Sequence, residues 1–237
     1  MKFGVVTFPG SNGDYDSYAA VRFAMKEKVE FLWHKSEDLQ GCDAVILPGG
    51  FAHGDYLRAG AIARFSPIMK HVIKFAKSGG IVIGFCNGFQ VLTESGLLPG
   101  ALLRNNHLRF NSKFIYIRVE RTDTPFTGVC RKGEVLKIPI AHGEGNYYNF
   151  ESDVRKLEDN GQVLFRYADA SGNASAAANP NGSINNIAGI VSAEGNVLGM
   201  MPHPERAVED IIGSSDGLKV FESVLNYCIS PKPVGRL

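Results

Sequence analysis

A cysteine with two flanking glycines is the first candidate for chemistry in this chain. Cys86 lies between Gly84 and Gly88 and directly follows the apolar run Ile81–Phe85, in the stretch IVIGFCNGFQ. A strand, then Gly-x-Cys-x-Gly, then a helix is the pattern of a nucleophile elbow, a sharp turn that holds the nucleophile at its tip. Such a turn is strained, so neighbours without a Cβ are expected on both sides. The alternative is a buried cysteine whose glycines only ease its packing against a sheet.

Backbone amides near this cysteine would complete the site. If a helix begins near Asn87, its unpaired N–H groups point toward Cys86 and stabilise a thiolate and, later, an oxyanion. An oxyanion hole needs two N–H donors. We predict that Asn87 supplies one and that the Pro-Gly-Gly-Phe loop containing Gly50 and Phe51 supplies the other, because its glycines let amides approach a substrate closely. The alternative is that this loop is a common turn after a strand.

A thiolate also needs a base, and His203 is the best candidate among six histidines. It stands between two prolines in MPHPER, after an apolar strand, and Glu205 follows two positions later. Residues i and i+2 of extended backbone point the same way, so Glu205 can orient the imidazole and favour its protonated form. Cys86, His203 and Glu205 then form a nucleophile, a base and an orienting acid. A surface His–Glu pair in a turn is the alternative. We expect His34, His71 and His107 to be structural or exposed.

Alternating strands and helices must position these residues. Apolar runs predict strands at 2–8, 30–34, 43–47 and 81–85. Apolar spacing predicts helices at 14–29 and at 59–77, the second with Pro67 as a kink or boundary. The run 43–47 is apolar throughout, as in a strand that is covered on both faces. This order predicts a doubly wound, mostly parallel sheet.

The second half of the chain has a different pattern, with alternating strands in place of apolar runs. It predicts strands at 114–120, 134–141 and 162–168, a hairpin at 187–192 and 197–201, a helix at 215–228 and a tail at 231–237. No change in composition divides the chain. We therefore predict one α/β domain over residues 1–237, with three layers around an open, mostly parallel central sheet and antiparallel additions in the second half.

Composition and charge limit the class of partner. The chain has 25 Lys and Arg against 24 Asp and Glu, which argues against broad nucleic-acid or membrane binding. The start MKFGVVTFPG fits a first strand and not a secretory signal, and no apolar stretch is long enough for a membrane span. Cys42, Cys86, Cys130 and Cys228 form no C-x-x-C pair, so neither a zinc site nor a disulfide framework is predicted. We expect no metal and a cytoplasmic location.

Three motifs together resemble the class I glutamine amidotransferases. They are LPGG at 47–50, GFCNGFQ at 84–90 and PHPE at 202–205. The resemblance implies a Cys–His–Glu triad in which Cys86 attacks the carboxamide of L-glutamine. It further implies a glutamyl thioester, loss of ammonia with a proton from His203, and release of glutamate by water. Gln90, one helical turn past Cys86, matches a family position that helps to hold the substrate.

Longer segments resemble one branch of that family, the separate small glutaminase subunits of phosphoribosylformylglycinamidine synthase. These segments include GGFAHGDYLRAGAIARFSPIM at 49–69, IPIAHGEGNYY, NPNGSINNIAGI and GMMPHPERAVE. The resemblance implies that ammonia passes to a large synthetase subunit in purine synthesis, with a small third subunit that bridges the two. It implies no cofactor in this chain: ATP, magnesium and the formylglycinamide ribonucleotide would bind the large subunit, and no G-x-x-x-x-G-K-[ST] loop occurs here.

Two other residues carry hypotheses about the pocket and the partner. His142, in AHGEGNYY, either lines the glutamine pocket or the exit for ammonia, or is a packed histidine at a strand end. Arg58 follows the glycine-rich loop and offers a charged group that a partner synthetase could grip. We hypothesise that docking of the synthetase sets the oxyanion donor in that loop and so couples hydrolysis to the presence of acceptor.

Two alternative functions stay open. The first is the same chemistry for another synthase, such as those that make imidazole glycerol phosphate, anthranilate or CTP; segment 51–69 argues against it. The second is a cysteine hydrolase or chaperone relative that has the same elbow but no amidotransferase activity. Those proteins usually take their histidine from the position beside the cysteine, which Asn87 occupies here.

Overall fold

The first half of the chain forms the parallel part of a central sheet. The structure, a computed structural model, describes residues 1–229. Its first four strands are β1 (Lys2–Thr7), β2 (Lys28–Trp33), β3 (Ala44–Leu47) and β4 (Ile81–Phe85). Strand β1 pairs in parallel with β2 and β3, and β3 pairs in parallel with β4. Both faces of β3 and β4 are buried, which explains why these strands are apolar throughout.

The second half extends the same sheet with antiparallel strands. Its strands are β5 (Ala101–Leu103), β6 (Asn111–Val119), β7 (Val135–His142), β8 (Asn146–Tyr148), β9 (Val163–Ala168), β10 (Ile187–Val191) and β11 (Val197–Met200). The nine-stranded sheet has the order β2-β1-β3-β4-β11-β10-β9-β6-β7, and β5 and β8 pair apart from it. Strand β11 is parallel to β4 and antiparallel to β10. The predicted hairpin is therefore confirmed, and it lies in the middle of the sheet.

Helices cover both faces of the sheet and complete three layers. They are α1 (Asp14–Ala19), α2 (Pro67–Lys77), α3 (Asn87–Glu94), α4 (Glu151–Asp159) and α5 (Leu218–Ile229). Apolar residues of α5 and of the π-helical turn Ala20–Ala24 after α1 pack in one core cluster, and those of α2, α3 and α4 pack in the other. Strand β4 contributes to both, with Ile83 in the first cluster and Val82 in the second. The predicted α/β class is confirmed.

Two helices are shorter than the sequence predicts. The helix predicted at 59–77 begins at Pro67, because proline has no N–H and fits the first turn, where that group would lack an acceptor. The helix predicted at 14–29 ends as α1 at Ala19 and continues only as the π-helical turn to Ala24. The strand predicted at 30–34 is present but begins at Lys28, so residues 28 and 29 pair with β1 in place of extending the helix, since tertiary pairing outweighs helical spacing. Helix α4 and the β5–β8 pair were not predicted.

The last helix begins at Leu218, slightly later than the sequence predicts. The predicted tail 231–237 lies outside the described residues. Over the part of the chain that the structure describes, no helix is both long enough and apolar enough to cross a bilayer.

Candidate active site

Cys86 occupies a strained turn between β4 and α3. Its φ of 50° and ψ of −105° place a non-glycine residue at positive φ, which is uncommon and recurs at functional sites. A Cβ on Gly88 would overlap the carbonyl oxygen of Leu47 on β3, and a Cβ on Gly84 would lie 2.6 Å from Leu92 on α3. Helix α3 thus packs directly against β3 and β4. Close packing, more than the turn itself, excludes side chains at both glycines.

The sheet brings His203 to Cys86. Strands β4 and β11 are parallel neighbours in which Phe85 lies opposite Met200, so the residues after both strands leave the same edge of the sheet. The backbone amide of Cys86 donates to the carbonyl of Met200 at 2.8 Å. Gly49 lies between the two side chains: a Cβ there would be 2.6 Å from Cε1 of His203 and 3.5 Å from Cβ of Cys86. The structure thereby joins residues that are far apart in the sequence.

Glu205 holds the imidazole from its other side. Nδ1 of His203 lies 2.6 Å from Oε1 of Glu205, and both residues are buried, with exposed fractions of 1% and 3%. Burial alone would lower the pKa of His203, but the Glu205 carboxylate and the nearby Cys86 sulfur, in its thiolate form, raise the pKa above its ordinary value. Since Nδ1 carries the proton that Glu205 accepts, Nε2 is the nitrogen left to exchange a proton. Nε2 makes no hydrogen bond with any residue in the range 1–229.

A small pocket of about 170 Å³ opens beside the cysteine. Its lining comprises Gly50, Phe51, Asp55, Cys86, Gln90, Phe110, Ala141, His142, Gly143 and Glu144. The lining includes five residues that the sequence assigned to catalysis or substrate binding, together with Asp55 and Glu144, which it did not. Larger cavities of about 520 and 550 Å³ occur elsewhere, and Cys86 lines neither. The volume of a cavity therefore does not identify the candidate active site in this protein.

Asn87 joins the elbow to the loop opposite. Its side-chain Nδ2 donates to Oδ1 of Asp55 at 3.0 Å and to Oε1 of Gln90 at 2.8 Å. Its Oδ1 accepts from the backbone amide of Ala52 at 3.0 Å. Gln90 in turn donates to the backbone carbonyl of Glu144 at 2.7 Å. The first residues of α3 therefore bind both walls of the pocket, and the backbone amide of Asn87 is free of any intrahelical partner.

The predicted oxyanion loop is fastened to a neighbouring loop. The amide of Phe51 donates to the carbonyl of Gly10 at 2.9 Å, and the carbonyl of Gly49 accepts from the amide of Gly13 at 3.0 Å. Gly50 has a φ of 140°, and a Cβ on it would lie 2.7 Å from the amide nitrogen of Asn12. Gly50 and Phe51 do line the pocket, but the single N–H of Phe51 is already engaged. It would have to leave Gly10 before it could bind an oxyanion.

His142 is both packed and at the pocket, so the two sequence interpretations are not exclusive. It is 3% exposed, and its Nε2 lies 3.0 Å from Nδ2 of Asn181. Burial, with a smaller contribution from the charge of His203, lowers the pKa of His142 to about 3, so the ring is neutral. His34, by contrast, is buried away from the pocket, with Nδ1 3.3 Å from the hydroxyl of Ser66.

Arg58 lies on the surface and does not line the pocket. Its side chain is 64% exposed and forms a bidentate ion pair with Glu94 at the end of α3, with distances of 2.5 and 2.7 Å. Tyr56 and Leu57 beside it are 73% and 91% exposed. The segment thus offers a protein partner an apolar and charged surface. Within residues 1–229, no group of three or more His, Cys, Asp or Glu side chains could hold a metal ion.

Comparisons with known proteins agree on one family. A family model for the CobB/CobQ-like glutamine amidotransferase domain matches residues 1–228. The phosphoribosylformylglycinamidine synthase subunit PurQ of Chlorobaculum tepidum is 61% identical over 224 residues, covering 94% of this chain and 96% of that protein. The protein of the same name from Koribacter versatilis is 58% identical over 225 residues, covering 95% and 97%.

Solved structures agree with this result. A chain in the structure of PurLQS from Thermotoga maritima is 43% identical, with a TM-score of 0.85 over 96% of this chain and 98% of that one. The glutaminase domain of CTPS from Trypanosoma brucei is 11% identical with a TM-score of 0.58, covering 95% and 94%, and shows the fold alone. Given the near-complete family match and relatives of 58–61% identity, the chain belongs to the CobB/CobQ-like glutamine amidotransferases, in the branch of the PurQ subunits of phosphoribosylformylglycinamidine synthase.

Proposed function

We propose that this chain, as one amidotransferase domain over residues 1–237, hydrolyses L-glutamine and delivers the ammonia to a synthetase partner. The Cys86 thiolate attacks the carboxamide carbon, and the carbon–oxygen double bond becomes an oxyanion. The oxyanion collapses and expels the amine as His203 Nε2 donates a proton to it, which leaves a glutamyl thioester and ammonia. Water, deprotonated by His203, then attacks the thioester and releases glutamate and the thiol.

The arrangement of Cys86, His203 and Glu205 carries this proposal. The Cys86 thiolate raises the pKa of the His203 imidazole, and the two residues lie at one edge of the sheet with Gly49 between them. The buried carboxylate at 2.6 Å fixes the tautomer that leaves Nε2 available. The backbone amide of Asn87 supplies one oxyanion donor. The N–H of Phe51, in the peptide that joins it to Gly50, supplies the second after its hydrogen bond to the carbonyl of Gly10 is broken.

The relatives' names supply the acceptor. Proteins whose sequences are 55–61% identical to this one are named as subunits of phosphoribosylformylglycinamidine synthase. The solved chain that is 43% identical comes from the structure of PurLQS. We infer that the partners are a large synthetase and a small bridging subunit, that ATP and magnesium bind the synthetase, and that the complex works in the cytoplasm in de novo purine synthesis. A role in another synthase has less support, since the CTPS glutaminase domain is only 11% identical.

One experiment tests the chemistry and the partner together. Co-purification from native extract should recover a synthetase with this chain, and the complex should form phosphoribosylformylglycinamidine from glutamine or from ammonia. The Cys86→Ala complex should use ammonia only. Loss of both activities would indicate that Cys86 has a structural role, and undiminished use of glutamine would refute the nucleophile.

A further inference from the structure

Asp55 places a carboxylate beside the cysteine that no cation balances. Asp55 and Glu144 line the 170 Å³ pocket, and the described lining contains neither lysine nor arginine. Glu144 has a counterion outside the pocket, because Nε of Arg104 lies 3.6 Å from its carboxylate. Asp55 forms no ion pair with any residue between 1 and 229, so its negative charge faces the pocket uncompensated.

The hydrogen bonding of Asp55 leaves one oxygen unused. Oδ1 accepts from Asn87 at 3.0 Å, which fixes the orientation of the carboxylate, while Oδ2 makes no hydrogen bond to the described part of the chain. Burial and the charge of Glu144 raise the pKa of Asp55 to about 6, although the bond from Asn87 lowers it. A partly desolvated carboxylate next to a second carboxylate is stabilised by any cation that enters. The geometry therefore favours a cationic ligand group at Oδ2.

A second unpartnered group lines the same pocket. The amide of Asn181 is oriented by its neighbours, since its Oδ1 accepts from the amide of Ser183 at 3.1 Å and its Nδ2 donates to the carbonyl of Gly145 at 2.8 Å. Nε2 of His142 faces that NH₂ group and must be the acceptor, so the neutral ring carries its proton on Nδ1. This buried Nδ1–H has no acceptor among the described residues. Asp55 and His142, two residues that line the same pocket, therefore each keep one polar atom without a partner in the described part of the chain.

We infer that Asp55 binds the α-ammonium group of the glutamine substrate. The inference rests on the proposed glutaminase function and adds to it the basis of substrate selection. An amide with an α-ammonium group pairs with Oδ2 of Asp55, whereas an amide without one leaves a desolvated carboxylate unpaired. Asp55 is thus a determinant of specificity, separate from the triad.

The test compares L-glutamine with 4-carbamoylbutanoate, which is glutamine without its α-amino group. Binding of each to the full chain carrying Cys86→Ala, which cannot turn over substrate, is measured by isothermal titration calorimetry with and without Asp55→Asn. The asparagine retains an oxygen that can accept from Asn87. We expect Asp55→Asn to weaken L-glutamine about 10- to 100-fold, the range for a hydrogen bond to a charged group, and to change 4-carbamoylbutanoate by less than about 2-fold.

The outcomes separate this inference from the proposed function. Equal weakening of both compounds would mean that Asp55 only positions the loop through Asn87, and an unchanged affinity for L-glutamine would mean that it does not touch the ligand; either result overturns the inference. If L-glutamine does not bind while Asp55 is intact, the proposed function fails as well. Glu144→Gln is the matched control and should weaken L-glutamine less, because Arg104 already balances Glu144. Alkylation of Cys86 at an unchanged rate in the single Asp55→Asn chain would show that the elbow is intact.

Discussion

The amide of Phe51 donates its only hydrogen to the carbonyl of Gly10, 2.9 Å away and on a different loop. Phe51 lines the pocket, whereas Gly10 does not. The amide of a pocket residue is therefore bound by a residue outside the pocket. If this amide is an oxyanion donor, the chain on its own has only part of its oxyanion hole. Glutaminase activity would then depend on a movement of the Pro-Gly-Gly-Phe loop that breaks the hydrogen bond between Phe51 and Gly10.

We therefore expect the isolated chain to hydrolyse glutamine well below the rate of the complex with its synthetase and nucleotide. Arg58→Ala should reduce the stimulation by the partner while Cys86 still reacts with a small alkylating agent. Because Arg58 pairs with Glu94, Glu94→Gln is the matched control. If both variants lose stimulation equally, the ion pair matters and not a contact with the partner. Steady-state glutamate release measures the rate of the isolated chain and the stimulation of each variant by the partner. If the isolated chain reached the rate of the complex, the coupling would be refuted.

A glutamine-analogue diazo-ketone should label Cys86 and leave Cys42 and Cys130 unmodified. Burial raises the pKa of each of those two thiols to about 11, so at neutral pH almost none of either is present as the reactive thiolate. Mass spectrometry of the peptides after digestion gives the answer. Labelling of Cys42 or Cys130 with Cys86 untouched would contradict the assignment of the nucleophile.

His203→Ala should lower the glutamine-dependent rate at least ~10²-fold, the usual scale for loss of a general acid–base group. Glu205→Gln should cost less, since it orients and charges the imidazole without transferring a proton. His71→Ala is the control and should be near neutral, because His71 lies on α2 and does not line the pocket. Rates of ammonia and glutamate release distinguish these variants. Full activity of the His203→Ala chain would contradict the assignment of His203 as the general acid–base group.

Asp55→Asn should make the chain more stable than the parent at pH 7. The folded state raises the pKa of Asp55 from 3.8 to about 6, so between these pH values the folded chain holds more protons than the unfolded chain. The free energy of unfolding of the parent then falls as pH rises from about 4 to 6, and Asn lacks this dependence. Urea unfolding at pH 4 and pH 7 tests the sign. An equal difference between variant and parent at both pH values would show that Asp55 is not perturbed.

Gly88→Ala should destabilise the fold by about 1–3 kcal/mol or more, because its Cβ would overlap the carbonyl of Leu47. Gly128→Ala is a matched control: its nearest neighbour would be the carbonyl of Thr124 at 3.4 Å, and we expect a change within about 0.5 kcal/mol. Chemical denaturation of both variants supplies the comparison. Similar stability of the two would mean that α3 can move away from β3 at little cost.

Local patterns were enough to predict the elements that bear the site. The run before Cys86 formed the expected strand, and α3 begins at Asn87. The sequence also predicted that Glu205 could reach His203, and the two side chains lie 2.6 Å apart. The backbone between them is a 3₁₀ turn at Pro204–Arg206, however, and not the extended segment from which that contact was argued. These relationships depend on the backbone over a few residues, where sequence is informative.

Relationships between distant segments could not be predicted in the same way. The sequence indicated a hairpin at β10 and β11 but not that β11 would be inserted beside β4, since pairing between distant strands has no local signature. Asp55 received no role in catalysis or substrate binding from the sequence, because nothing in its neighbours shows that Asn87 would turn it toward the pocket. Likewise, the engagement of the Phe51 amide by Gly10 depends on two loops that only the folded sheet brings together.

The insertion of β11 between β4 and β10 also sets the order in which the protein can acquire reactivity. Val197–Met200 pairs with Val82–Phe85, segments separated by nearly half of the chain, so this contact closes a long loop and forms slowly compared with local turns. A chain still emerging from the ribosome can build the elbow and its helix before His203 is available to the thiol. In the proposed mechanism Cys86 is therefore activated only after β11 has paired with β4, so a partly folded chain lacks the thiolate–imidazole pair.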